Sequence, residues 1–207
     1  NYTLPAITGN KKVTILGGDN TVIDMTNSGI IGAQNVGLDL TIEGAKVNFT
    51  NDNYKGITHS KKVTYKNCTI TGKQFMYAEE VEFINCKFVQ DVVDYNVWTY
   101  GAGKVLFDNC EFSCKGKSVL IYTEGADTAQ NVEFRNCKFN ASSLSDGKAA
   151  IEIDSYGRSY NVIIDQATAE NVTGFDNGSV SGSPIWNVKK NVNPVTVTVA
   201  ETVVYNQ

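Results

Sequence analysis

The chain has 207 residues and a formal net charge of −4, which fits one sizeable domain or one elongated repeat array. The acidic balance disfavours non-specific nucleic-acid binding, which needs a clustered basic footprint, and it disfavours attraction to an anionic membrane. No apolar run approaches the ~18 residues of a membrane span, so membrane insertion is not expected.

Segments that begin with a valine recur along the chain. A weak first copy begins at Val13 (VTILGGDNTVID) and a weak last copy at Val195 (VTVTVAETVV). Between them, comparable segments begin at Val36, Val63, Val81, Val105, Val132 and Val162. The distance between successive members of this series varies from 18 to 30 residues. Because a helical repeat keeps a fixed length, this variation predicts a solenoid whose extra residues leave as loops at one or two corners.

Four of the copies share the pattern V-x-[FY]-x-N-C-x-[FI]. They read VTYKNCTI, VEFINCKF, VLFDNCEF and VEFRNCKF. Their apolar residues alternate as in a strand, but the phase breaks at the Asn. Since Asn tolerates the left-handed backbone conformation, each copy is predicted to be a strand, an Asn corner and a second strand. The corner residues are expected to stack about 4.7–4.9 Å apart with hydrogen-bonded amides; they are Asn67, Asn85, Asn109 and Asn136.

Five cysteines, an odd number, occur in the chain. Four of them follow the corner Asn residues and are predicted to form an internal column: Cys68, Cys86, Cys110 and Cys137. The fifth is Cys114. Such a column is compatible with a metal or with disulfides, but buried free Cys usually packs as a small apolar residue. There is no C-x-x-C motif and only one His, so a zinc site lacks its usual ligands and we interpret the column as core packing.

A third strand is predicted in front of each valine, so that each coil has three strands. These segments read GITHSKK, FMYAEE, VWTYGAGK, IYTEGADTAQN and EIDSYGRSYN. From about Val13 to Val199 the coils, with an Asn ladder at one corner, resemble the β-helices of the pectate-lyase-like superfamily. The resemblance implies an all-β fold, a single-stranded right-handed parallel β-helix with three strands per coil. We predict one such domain over residues 1–207, either complete or excised from a longer surface protein.

The resemblance also implies the location of a site. In that superfamily, active sites usually lie on the outer face of the first sheet, which here is the strand before each valine. Alternation predicts that Thr58, Met76, Thr99, Thr123 and Ile153 point inward. One predicted outward column is Ile57, Phe75, Trp98, Tyr122 and Glu152, and the other is His59, Tyr77, Tyr100, Glu124 and Asp154. Tyr156, Arg158 and Tyr160 are expected to leave this face on its far side.

The residues of this face predict contacts with a glycan. Aromatic rings stack against sugar rings, and Tyr hydroxyls and carboxylates bond sugar hydroxyls. The predicted ligand-binding residues are His59, Phe75, Tyr77, Trp98, Tyr100, Tyr122, Tyr156 and Arg158. The long connections VQDVVDYN and NASSLSDGKAA are expected to wall the face. An interpretation without any ligand also exists, since Tyr, Trp and Thr favour strands in general.

Three carboxylates on the same face define a catalytic alternative. Glu124, Glu152 and Asp154 are expected about 5 Å apart on adjacent coils, which is the separation that retaining glycosidases use. Like charges so close together raise one pKa and favour a general acid. A lyase would instead need a base, for which Arg158 or Tyr156 is a candidate, and Ca²⁺ bridging the three carboxylates would neutralise an acidic substrate.

The sequence motifs favour binding over catalysis. The Asn-Thr-Asp, Asp-Asp, Gly-His-Gly and Arg-Ile-Lys motifs of polygalacturonase-like enzymes are missing. We therefore predict an extracellular or cell-surface domain of bacterial type that binds a polysaccharide, a surface glycan or a host protein, without a metal or other cofactor. The alternatives are a polysaccharide lyase or glycoside hydrolase acting at the same face, and a structural stalk of a surface adhesin.

Overall fold

A computed structural model describes residues 1–7, 9–26, 37–57, 60–123, 129–141, 149–154, 157–170, 179–183, 185–189 and 193–207. All regular elements within these ranges are β-strands, twenty-two in number. No helix long and apolar enough to cross a membrane occurs in the described ranges. The predicted all-β class is confirmed.

The strands form three sheets. The second sheet is β1 (Lys12–Leu16), β3 (Asp39–Glu43), β5 (Lys62–Lys66), β8 (Glu80–Ile84), β11 (Lys104–Asp108), β14 (Gln130–Arg135), β17 (Tyr160–Asp165), β21 (Val195–Val199) and β22 (Thr202–Asn206). The third sheet is β2 (Val22–Asp24), β4 (Lys46–Asn48), β6 (Thr69–Thr71), β9 (Lys87–Gln90), β12 (Glu111–Cys114), β15 (Lys138–Ala141) and β18 (Thr168–Glu170). The first sheet is β7 (Gln74–Phe75), β10 (Val97–Trp98), β13 (Val119–Ile121), β16 (Ile151–Ile153), β20 (Trp186–Lys189) and β19 (Ser179–Gly182).

Successive coils pair in parallel, one strand in each sheet per turn of chain. For example, one coil consists of β7, β8 and β9, and the next coil consists of β10, β11 and β12. β10 pairs with β7, β11 with β8 and β12 with β9. Among the described strands, only the pairs β19–β20 and β21–β22 are antiparallel. Three strands per coil, stacked in parallel, make this chain a parallel β-helix, as predicted.

The register of the second sheet corrects two of the predicted copy starts. Leu40 pairs with both Val13 and Val63, so it occupies the position predicted for Val36, which lies outside the described residues. At the other end Val162 pairs with Val197, two residues beyond the predicted Val195. Both errors have the same cause. An alternating segment looks identical after a shift of two residues, so its pattern predicts the buried face but leaves the register open.

Aromatic rings stack along the core from coil to coil. In the second sheet the centroid distances are 4.9 Å for Tyr65–Phe83, 5.1 Å for Phe83–Phe107 and 4.8 Å for Phe107–Phe134. The third sheet adds a parallel row, Phe88, Phe112 and Phe139, with separations of 4.5 and 4.8 Å. All of these rings are buried. Each stacked pair contributes about 0.5–1.5 kcal/mol beyond its burial, so the rows favour exact alignment of neighbouring coils.

The corner between the second and third sheets is made by residues in the left-handed conformation. The φ angles of Asn67, Asn85, Asn109 and Asn136 are 52°, 53°, 53° and 55°. The Asn85 side-chain amide donates to Asn67 Oδ1 at 3.2 Å, and that of Asn109 donates to Asn85 Oδ1 at 2.8 Å. Gly44 (φ 69°) and Gln166 (φ 53°) form the corners of the flanking coils. The corner geometry therefore persists where the Asn-Cys pair does not.

All five cysteines are buried and free. The thiol of Cys86 donates to the Tyr65 carbonyl at 3.4 Å, and that of Cys110 donates to the Phe83 carbonyl at 3.5 Å. Burial raises the pKa of Cys114 to about 12. These contacts are those of core residues, in agreement with the interpretation of the column as packing.

We expect the thiols to be unreactive in the folded protein, because all five are buried and solvent access controls reactivity. An aromatic disulfide reagent should modify almost none of them in native buffer and all five after denaturation without a reductant. A titre below five in the denatured protein would instead indicate a disulfide or a bound metal.

Substitution at a corner separates backbone strain from amide hydrogen bonding. Asn85→Ala is expected to lower the free energy of unfolding by about 1–2 kcal/mol, because Ala lacks the short polar side chain whose local hydrogen bonds let Asn adopt the left-handed region. Asn85→Gly loses the same amide bonds without that strain and should cost less. Urea unfolding measures the loss of stability in both variants. Equal losses would show that the left-handed backbone conformation does not contribute to the effect of the Ala substitution.

Candidate functional site

The register of the first sheet defines its outward columns. One column is Phe75, Trp98, Leu120, Glu152 and Asn187. The other column lies two residues further along the chain, just beyond the strands, and consists of Tyr77, Tyr100, Tyr122 and Asp154. Phe75, Trp98 and Glu152 thus share a column as predicted. Leu120, and not Tyr122, is level with Trp98, so the prediction for Tyr122 was displaced by one step of the alternation.

Other predicted positions are corrected or lie outside the described residues. Ile57 is only 5% exposed and belongs to the core, so its predicted outward orientation is wrong. The reason is the isolated bridge between Lys55 and Gln74, which brings Ile57 level with the inward-pointing Met76. Thr58, His59, Glu124 and Tyr156 lie outside the described residues.

Six aromatic side chains form one cluster on this face, which we call the aromatic platform: Tyr54, Phe75, Tyr77, Trp98, Tyr100 and Tyr122. Tyr100 lies at its centre, with ring centroids 4.9 Å from Trp98, 5.9 Å from Phe75 and 5.7 Å from Tyr77. Trp98 stacks on Tyr122 at 5.7 Å and meets Tyr54 edge-on at 5.2 Å. All six are at least partly exposed. The sequence pattern missed Tyr54, because it precedes the first-sheet segment of its coil.

Backbone contacts hold the platform rings in place. The indole nitrogen of Trp98 donates to the Tyr122 carbonyl at 3.0 Å. Tyr77 lies against Gly101, where an added Cβ would meet the Tyr77 ring at 2.3 Å. Tyr100 itself has a φ of 31°, which is unfavourable for a residue with a large side chain. Strain of this kind persists only where the surroundings enforce it, and it is concentrated at functional sites.

Loop 91–96 borders the platform on one side, as predicted for this connection. Its backbone lies directly on Gly116, where an added Cβ would come within 2.5 Å of the Asp94 nitrogen. The side-chain amide of Asn96 donates to the Gly72 carbonyl at 2.5 Å, and that of Gln90 donates to the Tyr95 carbonyl at 3.3 Å. These contacts fix the path of the loop. The second predicted wall, the NASSLSDGKAA connection, lies largely outside the described residues.

A chain of polar contacts runs along this border over several coils. We call it the ionic flank, and its members are Lys73, Asp94, Tyr95, Lys117, Glu152 and Lys189. Lys73 pairs with Asp94 at 2.8 Å, and the Tyr54 hydroxyl donates to the same carboxylate at 3.3 Å. Burial, followed by the charge of Asp94, raises the pKa of Tyr54, so this hydroxyl remains a donor.

Glu152 is the most enclosed member of the ionic flank. Its side chain is 1% exposed although it points outward from the first sheet. Lys117 and Tyr95 both contact its carboxylate directly, and Lys189 approaches it at 3.0 Å. Lys117 also donates to the Tyr95 hydroxyl at 3.1 Å. Sequence reasoning found Glu152 but none of these partners, because they come from three other segments of the chain.

The remaining predicted residues lie at the opposite border. Arg158 is 6% exposed, and its guanidinium donates to the Ala102 carbonyl at 3.4 Å. Burial lowers the pKa of Arg158. Tyr160 is buried as well, and its hydroxyl accepts from the Thr123 nitrogen at 2.9 Å. Asp154 is partly exposed directly after β16. Arg158 and Tyr160 thus support this corner from within.

The described residues contain no group of three or more His, Cys, Asp or Glu side chains arranged to hold a metal ion. Glu152, one of the three carboxylates considered for Ca²⁺, contacts two lysines instead. Another carboxylate of that set, Glu124, lies outside the described residues.

Glu152→Gln should destabilise the protein by about 3–5 kcal/mol, because removing one partner leaves buried charges uncompensated. Glu133 offers a matched control. It pairs with Arg135 at 2.6 Å on the exposed second sheet, and Glu133→Gln should cost about 0–1 kcal/mol. Urea unfolding measures both variants, and similar small losses would mean that the ionic flank is effectively solvated.

Comparison with known proteins agrees with this architecture. The family model described as a right handed beta helix region matches residues 6–171, which is well over half of the chain. No curated protein and no solved structure matches the chain. The match and the three stacked parallel sheets agree in fold, and the chain therefore belongs to the right-handed β-helix family.

Proposed function

We propose that this protein binds a glycan, as an extracellular or cell-surface module, and that the aromatic platform is its binding face. Membership of the right-handed β-helix family defines the fold alone, because one fold hosts many activities. The proposal therefore rests on the chemistry of the face.

The observation that carries the proposal is the convergence of six aromatic rings on one partly exposed surface. Trp98, Tyr100 and Tyr122 lie on neighbouring strands or directly after them. The ring centroid of Trp98 is 4.9 Å from that of Tyr100 and 5.7 Å from that of Tyr122. Sugar rings present apolar C–H faces that stack on aromatic rings, while their hydroxyls need polar partners at the edge. The tyrosine hydroxyls of the platform and the partly exposed carboxylate of Asp94 beside it can serve as such partners.

The ordering of the platform also supports binding. Exposed aromatic side chains lose conformational freedom when a ligand orders them, and this loss weakens binding. Here the Trp98 indole is already fixed by the Tyr122 carbonyl, and Tyr77 is fixed against Gly101. A stalk or spacer would require no such arrangement.

Catalysis is supported less well by the described residues. A general acid must reach the glycosidic oxygen, and the carboxylate of Glu152 is enclosed by Lys117, Tyr95 and Lys189. The catalytic roles of Glu124, Glu152 and Asp154 remain predictions. A host protein is a further ligand class that Trp and Tyr can serve, and it is an alternative outcome of the test below.

A glycan array first identifies the glycans that the natural protein binds. For each of these, Trp98→Ala should weaken the affinity by at least tenfold, which corresponds to about 1.4 kcal/mol. Trp98→Phe keeps a ring and should lose less. Val89→Ala, on the outer face of the third sheet, is the matched control and should bind normally. Thermal unfolding of each variant separates lost contacts from lost stability.

Three further results would contradict the proposal. Normal binding by Trp98→Ala would place the ligand elsewhere. Release of reducing ends or unsaturated uronates from a polysaccharide, lost in Asp154→Asn, would establish the enzyme instead. If the protein bound no glycan but bound a purified protein in a way that required Trp98, the protein ligand would be favoured.

A further inference from the structure

We propose that Lys117 and Glu152 condense to an intramolecular amide, a covalent cross-link between two coils of the β-helix, with the loss of one water molecule. The inference concerns the ionic flank and does not depend on glycan binding. It defines a modification site in which Lys117 is the nucleophile, Glu152 supplies the acyl group and Tyr95 relays protons between them.

Burial distinguishes this pair from the other ion pairs. The side chains of Lys117 and Glu152 are 10% and 1% exposed. In every other ion pair between described residues, at least one side chain is 30% exposed or more. Two charges taken out of water lose their hydration, and their mutual attraction compensates this loss only in part. Because an amide carries neither charge, the site favours condensation more strongly than water does.

The contact between the two groups is direct. The Lys117 nitrogen touches Oε2 of Glu152, yet this oxygen has no hydrogen-bond partner in the described part of the chain. The nitrogen therefore lies against the carboxyl group without occupying a hydrogen-bonding position on Oε2, and it is within reach of the carbon to which that oxygen is bonded. Groups held in reactive contact behave as if they were present at about 10⁵–10⁸ M, which offsets the preference of dilute solution for hydrolysis.

A proton path connects the two groups through Tyr95. The Lys117 ammonium donates to the Tyr95 hydroxyl at 3.1 Å, and the same hydroxyl donates to Oε1 of Glu152. The hydroxyl takes a proton from the ammonium while it gives its own proton to the carboxylate. This transfer produces a neutral amine and a carboxylic acid, which are the forms that nucleophilic attack on a carboxyl group requires.

The condensation balances without any further reactant. The amine of Lys117 attacks Cδ of Glu152 and forms the C–N bond. A second proton leaves the nitrogen through Tyr95 to Oε1, the Cδ–Oε1 bond breaks and Oε1 departs as water, while Oε2 remains as the amide carbonyl oxygen. Lys189, whose nitrogen is 3.0 Å from Oε1, stabilises the negative charge that develops on the carboxyl oxygens during the attack. Tyr95 and Lys189 are unchanged at the end, and nothing is oxidised or reduced.

The amide joins two neighbouring coils of the first sheet. Lys117 precedes β13, and Glu152 lies on β16, which pairs with β13 in parallel. The cross-link closes a loop around residues 118–151 and restricts the unfolded chain in the way that a disulfide does. It also keeps these coils together when their strand pairing is broken, without a bond that a reductant could cleave.

Intact-mass spectrometry of the natural protein tests the proposal. After incubation of the folded protein at neutral pH, its mass measured in denaturant should be about 18 Da below the mass calculated from the sequence, because one water has left. Trypsin does not cleave after an acylated lysine, so the digest should contain a branched peptide in which residues 116–135 are joined to residues 149–158. The full calculated mass, together with cleavage after Lys117, would overturn the proposal.

Three variants assign the roles. Lys117→Arg keeps the positive charge but has no amine to acylate, so it should show the full calculated mass. Tyr95→Phe lacks the relay and should lose water roughly a hundredfold more slowly. Lys104→Arg is the matched control, because Lys104 pairs with Glu80 at 3.3 Å on the exposed second sheet, and it should keep the mass deficit.

The remaining outcomes are equally decisive. A mass deficit that persists in Lys117→Arg would overturn the assignment to this lysine. A cyclic imide at the sequence Asp146-Gly147 also loses one water, but mild base opens it and no branched peptide accompanies it, so that result would count against the amide. An unchanged rate of water loss in a folded Tyr95→Phe variant would overturn the relay.

Discussion

Parallel pairing between successive coils is the interaction on which the rest of this structure depends. Each strand pairs in register with the strand one coil away, so residues at equivalent positions lie about 4.8 Å apart. The stacked rings of Phe83, Phe107 and Phe134 repeat this spacing in the core. A left-handed residue at the corner keeps the register from one sheet to the next, and Asn67, Gly44 and Gln166 all perform this role. The backbone conformation is thus the constant feature, while the residue that adopts it varies.

Since the coils keep their register whatever is inserted at a corner, loops can differ without disturbing the stack. Loop 91–96 uses this freedom to fold back over the first sheet, where Gly116 leaves room for its backbone. It brings Tyr95 to the carboxylate of Glu152, which Lys117 and Lys189 also contact. A residue that points outward from a sheet therefore becomes buried, and its charge serves to hold the loop.

The aromatic platform combines both properties of the fold. Repetition places Phe75, Trp98 and Leu120 at one level on successive coils, and the departures from repetition supply Tyr54 and the ionic flank. Stacked aromatic faces with a polar border are suited to sugar rings.

The sequence by itself determined the strands, the corner residues and the internal cysteine column, because alternation and the left-handed preference of Asn are local properties. It did not determine register, as Leu40, Val197 and Tyr122 illustrate, because an alternating segment is unchanged by a shift of two residues. Only the tertiary structure decided that Ile57 is inside and that Glu152 is enclosed. Both outcomes depend on contacts between segments of different coils, and no local pattern encodes which loop will cover which strand.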